Sequence, residues 1–263
     1  MTKYIPREKL EHLIWMPNGS IPTPRSRFAS QERLNLERQY FFMAKTSTYA
    51  QGVHALQNGC KAAANSVHPQ CTLDDGNKIY RPLTFKENIG ARVHDYESNK
   101  DSEERLRLFQ RWNNSCTAIA YQKGTAKFKV VPISQELIFI PEDFNQSYMK
   151  IKYDDIEEPE LEQYTAIYNE ALTPAQVETH PAWLAAVEGD VHLLKTYRDI
   201  VVAERKTKTA MAFGIQTEIS EDYLRTLFVS DLDSNSNAGG LDLKNYGGSF
   251  LRVVPVVSAG GKL

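Results

Sequence analysis

Between Ser230 and Ser249 the chain reads SDLDSNSNAGGLDLKNYGGS, and fourteen of these twenty residues are Ser, Asp, Asn or Gly. Such a tract cannot build a core, because it has too little apolar surface to offset the entropy of ordering it. It is bracketed by two apolar runs, LRTLFV from Leu224 to Val229 and FLRVVPVV from Phe250 to Val257. The pairing predicts a surface loop region held between two buried strands. Loops on a rigid scaffold are where binding residues concentrate.

The rest of the chain supplies that scaffold. Its 263 residues suffice for one large domain or two small ones with a real core. A hydrophobic content of 41% with 24% charged residues describes an ordinary globular chain. The formal net charge of −2 gives no global basic field, so nucleic acid is not an expected partner. Arg25 with Arg27, and the run from Glu204 to Lys208, read as solvated faces. No apolar run reaches the roughly 18 residues that span a bilayer. The N-terminus lacks the apolar middle and small-residue cleavage site of a signal peptide. The expectation is a cytoplasmic or virion-associated protein, with no membrane partner. Three cysteines, Cys60, Cys71 and Cys116, do not make a disulfide framework.

Periodicity and punctuation predict an α+β protein with a helical N-terminal part, a small antiparallel sheet and a C-terminal α+β part. The division is 1–114 and 115–263, or one continuous domain. Helices are expected over 7–16, 30–45 and 48–66, with a loop from Asn18 to Ser26. Asp74 to Pro82 reads as a turn and a short edge strand. Thr84 with Glu87 forms a capping box for a helix to about Glu97, and Asp101 with Glu104 repeats the pattern for a second helix holding Leu106, Leu108, Phe109 and Trp112. Cys116–Gln122 and Ala126–Ile133 form a hairpin across Lys123-Gly124-Thr125, with Phe128 and Val130 on one face and Lys127 and Lys129 on the opposite face. Glu136–Ile140 is a third strand, and Tyr153–Tyr164 an exposed acidic connector. Pro174 after Thr173, Pro181 after His180, and Asp190 open three helices. Ala210–Gln216 is a strand, and Ser220 opens a short helix.

Three clusters invite chemistry. His54, Cys60, His68 and Cys71 fall within eighteen residues and are the ligand types tetrahedral zinc accepts, although their spacing is neither a finger nor a ribbon. The competing reading is a helix with a buried Cys60 and surface histidines. Cys116 lacks a nominated His partner and reads as a buried strand cysteine. Gly239-Gly240 and Gly247-Gly248 precede neither a Lys-Ser/Thr pair nor a helix start, so no phosphate loop is expected. No catalytic residue and no cofactor are assigned.

LRTLFVS, the polar tract and the closing GGSFLRVVPVV together resemble the variable region of diversity-generating retroelement target proteins. Those proteins have C-type-lectin folds, in which a fixed scaffold displays residues diversified at adenines of a template. Asn codons so altered yield the tract's composition, with only Lys244 outside it. The Trp-containing Gly-Gly motif common before such regions is replaced by Leu224-Arg225-Thr226-Leu227-Phe228. The resemblance implies a C-type-lectin-like C-terminal part and a non-enzymatic, ligand-binding protein. Its ligand-binding positions would be Asp231, Asp233, Asn235, Asn237, Asp242, Asn245 and Tyr246, with Leu232, Leu241 and Leu243 as inward anchors. The partner would be a protein or glycan, and homo-oligomerisation is compatible with it. An ordinary long polar loop between two strands, a structural or assembly protein of a virus or mobile element, and a zinc-dependent or nucleic-acid-modifying enzyme built on His54 to Cys71 remain the alternatives.

Overall fold

The computed structural model describes residues 42–43, 48–54, 81–106, 108–110, 112–141, 143–244, 249–250 and 252–253. In chain order these contain β1 (Phe42–Met43), α1 (residues 49–54), β2 (Arg81–Pro82), α2 (Phe85–Asn99), β3 (Asn113–Tyr121) and β4 (Lys127–Val131). There follow α3 (Gln135–Ile138), β5 (Met149–Lys150), β6 (Glu160–Glu162), α4 (Pro174–Thr179), α5 (Pro181–Ala186) and α6 (Val191–Arg205). The chain then runs through β7 (Phe213–Gly214), β8 (Tyr223–Val229), β9 (Ala238–Leu241), β10 (Ser249–Phe250) and β11 (Arg252–Val253).

Two long strands organise the molecule. β8 lies antiparallel along one edge of β3, and the other edge of β3 is shared by β10 at Asn113–Asn114 and β4 at Ala118–Tyr121. The outer edge of β8 is likewise shared, by β5 at Tyr223–Leu224 and β9 at Thr226–Val229. The sheet thus forks at both ends. The fork at β3 coincides with a bulge between Asn114 and Ala118, which lets a strand bend and twist out of register. The polar run NNSCT serves that bulge: Ser115 Oγ donates to Leu227 O at 2.5 Å, Thr226 Oγ1 and Tyr49 Oη donate to Ser115 O at 2.7 and 2.8 Å, and the Phe85 amide donates to Thr117 Oγ1 at 2.8 Å. The expected 114/115 division falls inside β3.

Because strand side chains alternate in direction, β3 feeds two cores. Ile119 and Tyr121 join Phe128, Val130, Leu227 and Val229 beneath α2, α5 and α6, while Ala118 and Ala120 join Leu224, Tyr49, Val53, Leu137 and Tyr153 on the other face. All nine β3 residues are buried. Lys129 lies on the face opposite Phe128 and Val130 as expected, and the double cover buries it there. Its Nζ donates to Ile156 O at 2.6 Å and sits 4.4 Å from the centre of the Tyr153 ring, so the buried ammonium is carried by carbonyls and an aromatic face.

Local signals placed several elements correctly. Thr84 Oγ1 accepts from the Glu87 amide and Glu87 Oε2 accepts from the Thr84 amide, closing the capping box of α2. Thr173, His180 and Asp190 cap α4, α5 and α6 as expected, and the hairpin turns at Gly124 with φ of 65°. Elsewhere packing prevailed. Residues 135–138 are helical, because Ser134 accepts from the Leu137 amide and starts a turn that buries Leu137 and Ile138. After Asp101 only a 3-10 turn forms, at Glu103–Leu106; Leu108 and Phe109 are buried beyond it, while Trp112 is partly exposed. Ser220 opens no helix: Asp222 accepts from the Lys123 amide at 2.7 Å, tying the hairpin turn to the start of β8. Residues 210–216 contain only the two-residue β7, and the acidic connector contains β6, paired to β4. Phe42 and Met43, expected in a helix, pair with β10. Residues 49–54 are helical as expected; the remainder of the 48–66 helix, the 7–16 helix and the Asn18–Ser26 loop lie outside the described residues.

His180 gives this scaffold a pH dependence. Its Nδ1 accepts from the Trp183 amide and its Nε2 lies 2.9 Å from Ile167 O, so the neutral tautomer with hydrogen on Nε2 satisfies both. Burial holds the imidazole below its ordinary value of 6.5, against a smaller opposing effect of the Ile167 carbonyl. A folded pKa below the unfolded one means the contribution is complete above pH 6.5 and is lost as pH falls through that value. Thermal unfolding at pH 8 and pH 5 should show the native protein losing more stability than His180→Asn, which retains a capping side chain that does not titrate. Parallel losses in the two proteins would refute the assignment.

Candidate functional site

The polar tract is more tightly built than a loop. Residues 232–236 form a continuous turn between β8 and β9. Ser230 and Ser236 amides donate to Asn237 O and Asp231 O, the Ser234 amide donates to Asp231 Oδ1, and the Asn235 amide donates to Leu232 O. Leu232 is buried and its amide donates to Phe109 O at 2.6 Å. Met211 donates to Asn235 O, and Ala212 donates to the side-chain oxygen of Asn237 at 2.8 Å. Asn235 and Ser236 have φ of 59° and 51°, a left-handed conformation that short polar residues tolerate best after glycine.

These bonds sort the expected ligand-binding residues. Asp233 is 96% exposed, with Oδ1 3.3 Å from Arg205. Asp231 and Asn235 are half-buried, and Asn237 is committed to the Ala212 amide. Asp242 lies past the far end of β9, where its Oδ1 accepts from the Lys244 amide. The four residues of β9 separate it from the 231–237 turn by about 16 Å at the usual strand rise. Asn245 and Tyr246 lie outside the described residues. Of the anchors, Leu232 and Leu243 are buried and Leu241 is half-buried; Leu243 donates to Ser147 O and accepts from the Tyr49 amide.

Gly239 and Gly240 have packing roles. A Cβ on Gly239 would stand 3.2 Å from Gly214 O on the neighbouring β7. A Cβ on Gly240 would stand 3.1 Å from Tyr121 Oη and 3.6 Å from Arg225 Cβ. The second glycine thus opens space over a cluster that sequence reasoning missed. Tyr223 stacks on Tyr148 with centroids 4.5 Å apart, Tyr121 lies 5.2 Å from Tyr223, and the Arg225 guanidinium sits 5.5 Å from the Tyr223 ring centre. Tyr148 donates to Glu221, which is also paired with Lys150 at 2.6 Å. Those contacts hold the Glu221 carboxyl below its usual range, the Lys150 ammonium ahead of the Tyr148 hydroxyl. Burial pushes the hydroxyls of Tyr121 and Tyr223 up, so both stay neutral donors. The signal for this cluster was present: one arginine stands in the otherwise uncharged run LRTLFV. A separate open hollow of about 370 Å³ is lined by Tyr164, Ile167, Tyr168, Ile215 and Thr217 among others, with Tyr164 87% exposed.

Of the zinc candidates, His54 is described, with Nε2 2.7 Å from Ile140 O; Cys60, His68 and Cys71 lie outside the described residues. Among the described residues, no three His, Cys, Asp or Glu side chains gather as a metal-binding group. Cys116 is buried. No described helix is long and apolar enough to cross a membrane.

The forked sheet is built on β3 and β8, covered on both faces, and has the closing strand β10 set between β1 and β3. A solved structure concerning the accommodation of massive sequence variation in Nanoarchaeota by the C-type lectin fold matches this chain with a TM-score of 0.52, at 15% identity, over 78% of this chain and 94% of that one. The protein therefore has a C-type lectin fold, mixed α+β. No protein-family model matches the chain, and no curated protein matches it by sequence.

Proposed function

We propose that this chain is a non-enzymatic binding protein that uses its C-type lectin fold to present the 231–244 surface to a protein or glycan, and that this surface tolerates sequence change as the variable region of a diversity-generating retroelement target does. The observation that carries the reading is a division of labour within the tract. Its backbone is fixed by backbone hydrogen bonds, by the Asp231 and Asn237 side chains and by the buried Leu232 and Leu243, whereas Asp233 is left to solvent. A scaffold that holds a loop by such means lets exposed positions vary without loss of fold. Asn, Ser and Gly are also the adaptable contact residues of antibody paratopes, and Tyr their large low-entropy one.

The structural half of this reading has a direct test. Asp233→Ala should change stability by no more than about 0.5 kcal/mol, while Asn237→Ala, which strips the Ala212 amide of its acceptor, should cost about 1 kcal/mol or more. Chemical denaturation of both variants measures this, and a costly Asp233→Ala would mean the position is structural. The functional half is tested by arrays of glycans and proteins, on which substitutions at Asp233 and Asp242 should alter the pattern of binding. The diversification half is tested in the neighbouring DNA. A reverse transcriptase and a near-copy of the 3′ end differing at adenines are expected there, and absence of both would end that part of the proposal.

A further inference from the structure

Residues 163–170 and the segment leaving β7 enclose the open hollow of about 370 Å³, which shares no residue with the 231–244 surface. The two segments are fastened at two points. Gln163 Nε2 donates to Gln216 O at 2.8 Å, while the Asn169 amide donates to Phe213 O and Asn169 Oδ1 accepts from the Ile215 amide at 2.9 Å. Residues 164–168 therefore loop out between anchor points that are close together on the other segment, and the hollow lies between that loop and Ile215. Its wall is held in place. The Tyr168 ring meets those of Phe128, His180 and Phe213 edge-on, and Ile167 O accepts from His180 Nε2. A site fixed before binding loses less entropy when it is filled.

The lining is apolar and accessible. Tyr164 is 87% exposed and Ile167 43% exposed, and the buried Ile215 lies beneath them. Single apolar residues scattered on a surface need no explanation, but a ring and two isoleucines around one hollow form a continuous patch. The field over that patch has one sign. Between Lys152 and Lys195 the sequence holds ten acidic residues and neither lysine nor arginine. Glu170 lines the hollow, and Glu162 and Glu218 adjoin its lining residues Gln163 and Thr217. All three are exposed, and among the described residues none of the three forms an ion pair. Lys127, opposite Glu162 in the sheet, is taken by Glu160 at 2.8 Å. An apolar hollow under a negative field selects a partner of positive charge.

We propose that this hollow is a second binding site, distinct from the 231–244 surface, and that it receives an arginine-bearing basic peptide segment of a partner protein. An arginine side chain answers each feature. Its aliphatic stem lies against Ile167 and Ile215 while its head stays in water. Its planar guanidinium stacks on the exposed Tyr164 ring and faces Glu170. Flanking basic residues of the same peptide meet Glu162 and Glu218. Lysine supplies the charge without the stacking plane and fits less well.

The experiment titrates the intact chain with an end-blocked peptide alternating arginine and leucine, with the same peptide carrying citrulline (uncharged, similar in shape) for arginine, and with free arginine amide. Binding is followed by calorimetry and by the amide NMR resonances of Ala166, Ile167 and Thr217. The arginine peptide should bind with a Kd below about 1 mM, shift those resonances, and bind more weakly as salt rises. The citrulline peptide should bind at least about tenfold more weakly. Tyr164→Ala should weaken the arginine peptide by about fivefold or more and Glu170→Gln by about twofold, and both alter exposed side chains. The resonance shifts are read on the unsubstituted protein, so the test does not depend on either variant. Resonances that stay unmoved at millimolar arginine peptide would overturn the proposal, as would equal binding of the citrulline peptide or undiminished binding by Tyr164→Ala. Arginine amide that matches the peptide in affinity would make the hollow a site for a small cation and overturn the peptide assignment. Each of these results leaves the reading of the 231–244 surface untouched, since that reading is tested at Asp233 and Asp242.

Discussion

Trp183→Ala is expected to lower the melting temperature by about 10 °C or more, the largest effect of any single truncation here. Trp183 is fully buried and heads the largest buried side chains. Its indole Nε1 donates to Met211 O at 2.9 Å, and its ring lies 5.5 Å from that of Phe85 and 5.7 Å from that of Phe213. It therefore joins α5 to α2 and to the segment entering β7. Removing a buried indole costs about 3–5 kcal/mol through lost transfer energy and the cavity left behind, and the Met211 carbonyl loses its donor as well. A domain with a total stability of about 5–15 kcal/mol feels this strongly. Trp183→Phe should recover much of the volume but leave that carbonyl unpaired, and so fall between the two. Differential scanning calorimetry of the three proteins measures the order, and a Trp183→Ala variant within 2 °C of native would contradict the account of this core.

Arg92→Leu should produce the second large effect, and a more local one. The side chain is fully buried, donates to Tyr197 Oη and to Ser230 O at 2.8 Å each, and lies over the Phe109 ring at 5.5 Å. A third contact reaches Val229 O at 3.4 Å. One residue of α2 thus fastens α6, the end of β8 and the first residue of the polar tract. Leucine fills part of the space but leaves buried oxygens without a donor, at about 1–3 kcal/mol for each one stranded. The expected total is about 3 kcal/mol, together with faster hydrogen exchange at the amides of Ser234, Asn235 and Ser236. Arg92→Lys should rescue little, since a point charge on a flexible stem cannot reach acceptors on separate elements. If the variant unfolds globally at lower denaturant while those amides keep their relative protection, Arg92 supports the core and does not hold the turn.

These two residues mark where sequence reading stopped. Trp183 was legible as core, since it sits on an amphipathic helix opened by Pro181. Arg92 was not, since a buried arginine inside a helix looks like any surface arginine until its acceptors, more than a hundred residues away, are known. The same holds for Lys129 and Arg225. Alternation placed Lys129 opposite Phe128 and Val130, but it cannot tell a sheet covered on one face from a sheet covered on both. Glu136–Ile140 was read as a strand because a short apolar run fits strand and helix equally, and the Ser134 cap decided it for a helix over Gln135–Ile138.

What the chain determined locally were the pieces whose causes lie within a few residues: the caps at Thr84, Thr173, His180 and Asp190, the Gly124 turn, the strand LRTLFV and the polar tract after it. The resemblance of that C-terminal segment to a C-type lectin variable region also led to the right fold. Only the tertiary structure decided that the tract is a hydrogen-bonded turn and a strand with Asp233 and Asp242 at separate ends, and that the Arg225 guanidinium stands beside the Tyr223 ring. Those outcomes depend on partners distant in sequence, brought together by burial of two cores against one sheet, and no local pattern encodes which distant groups will meet.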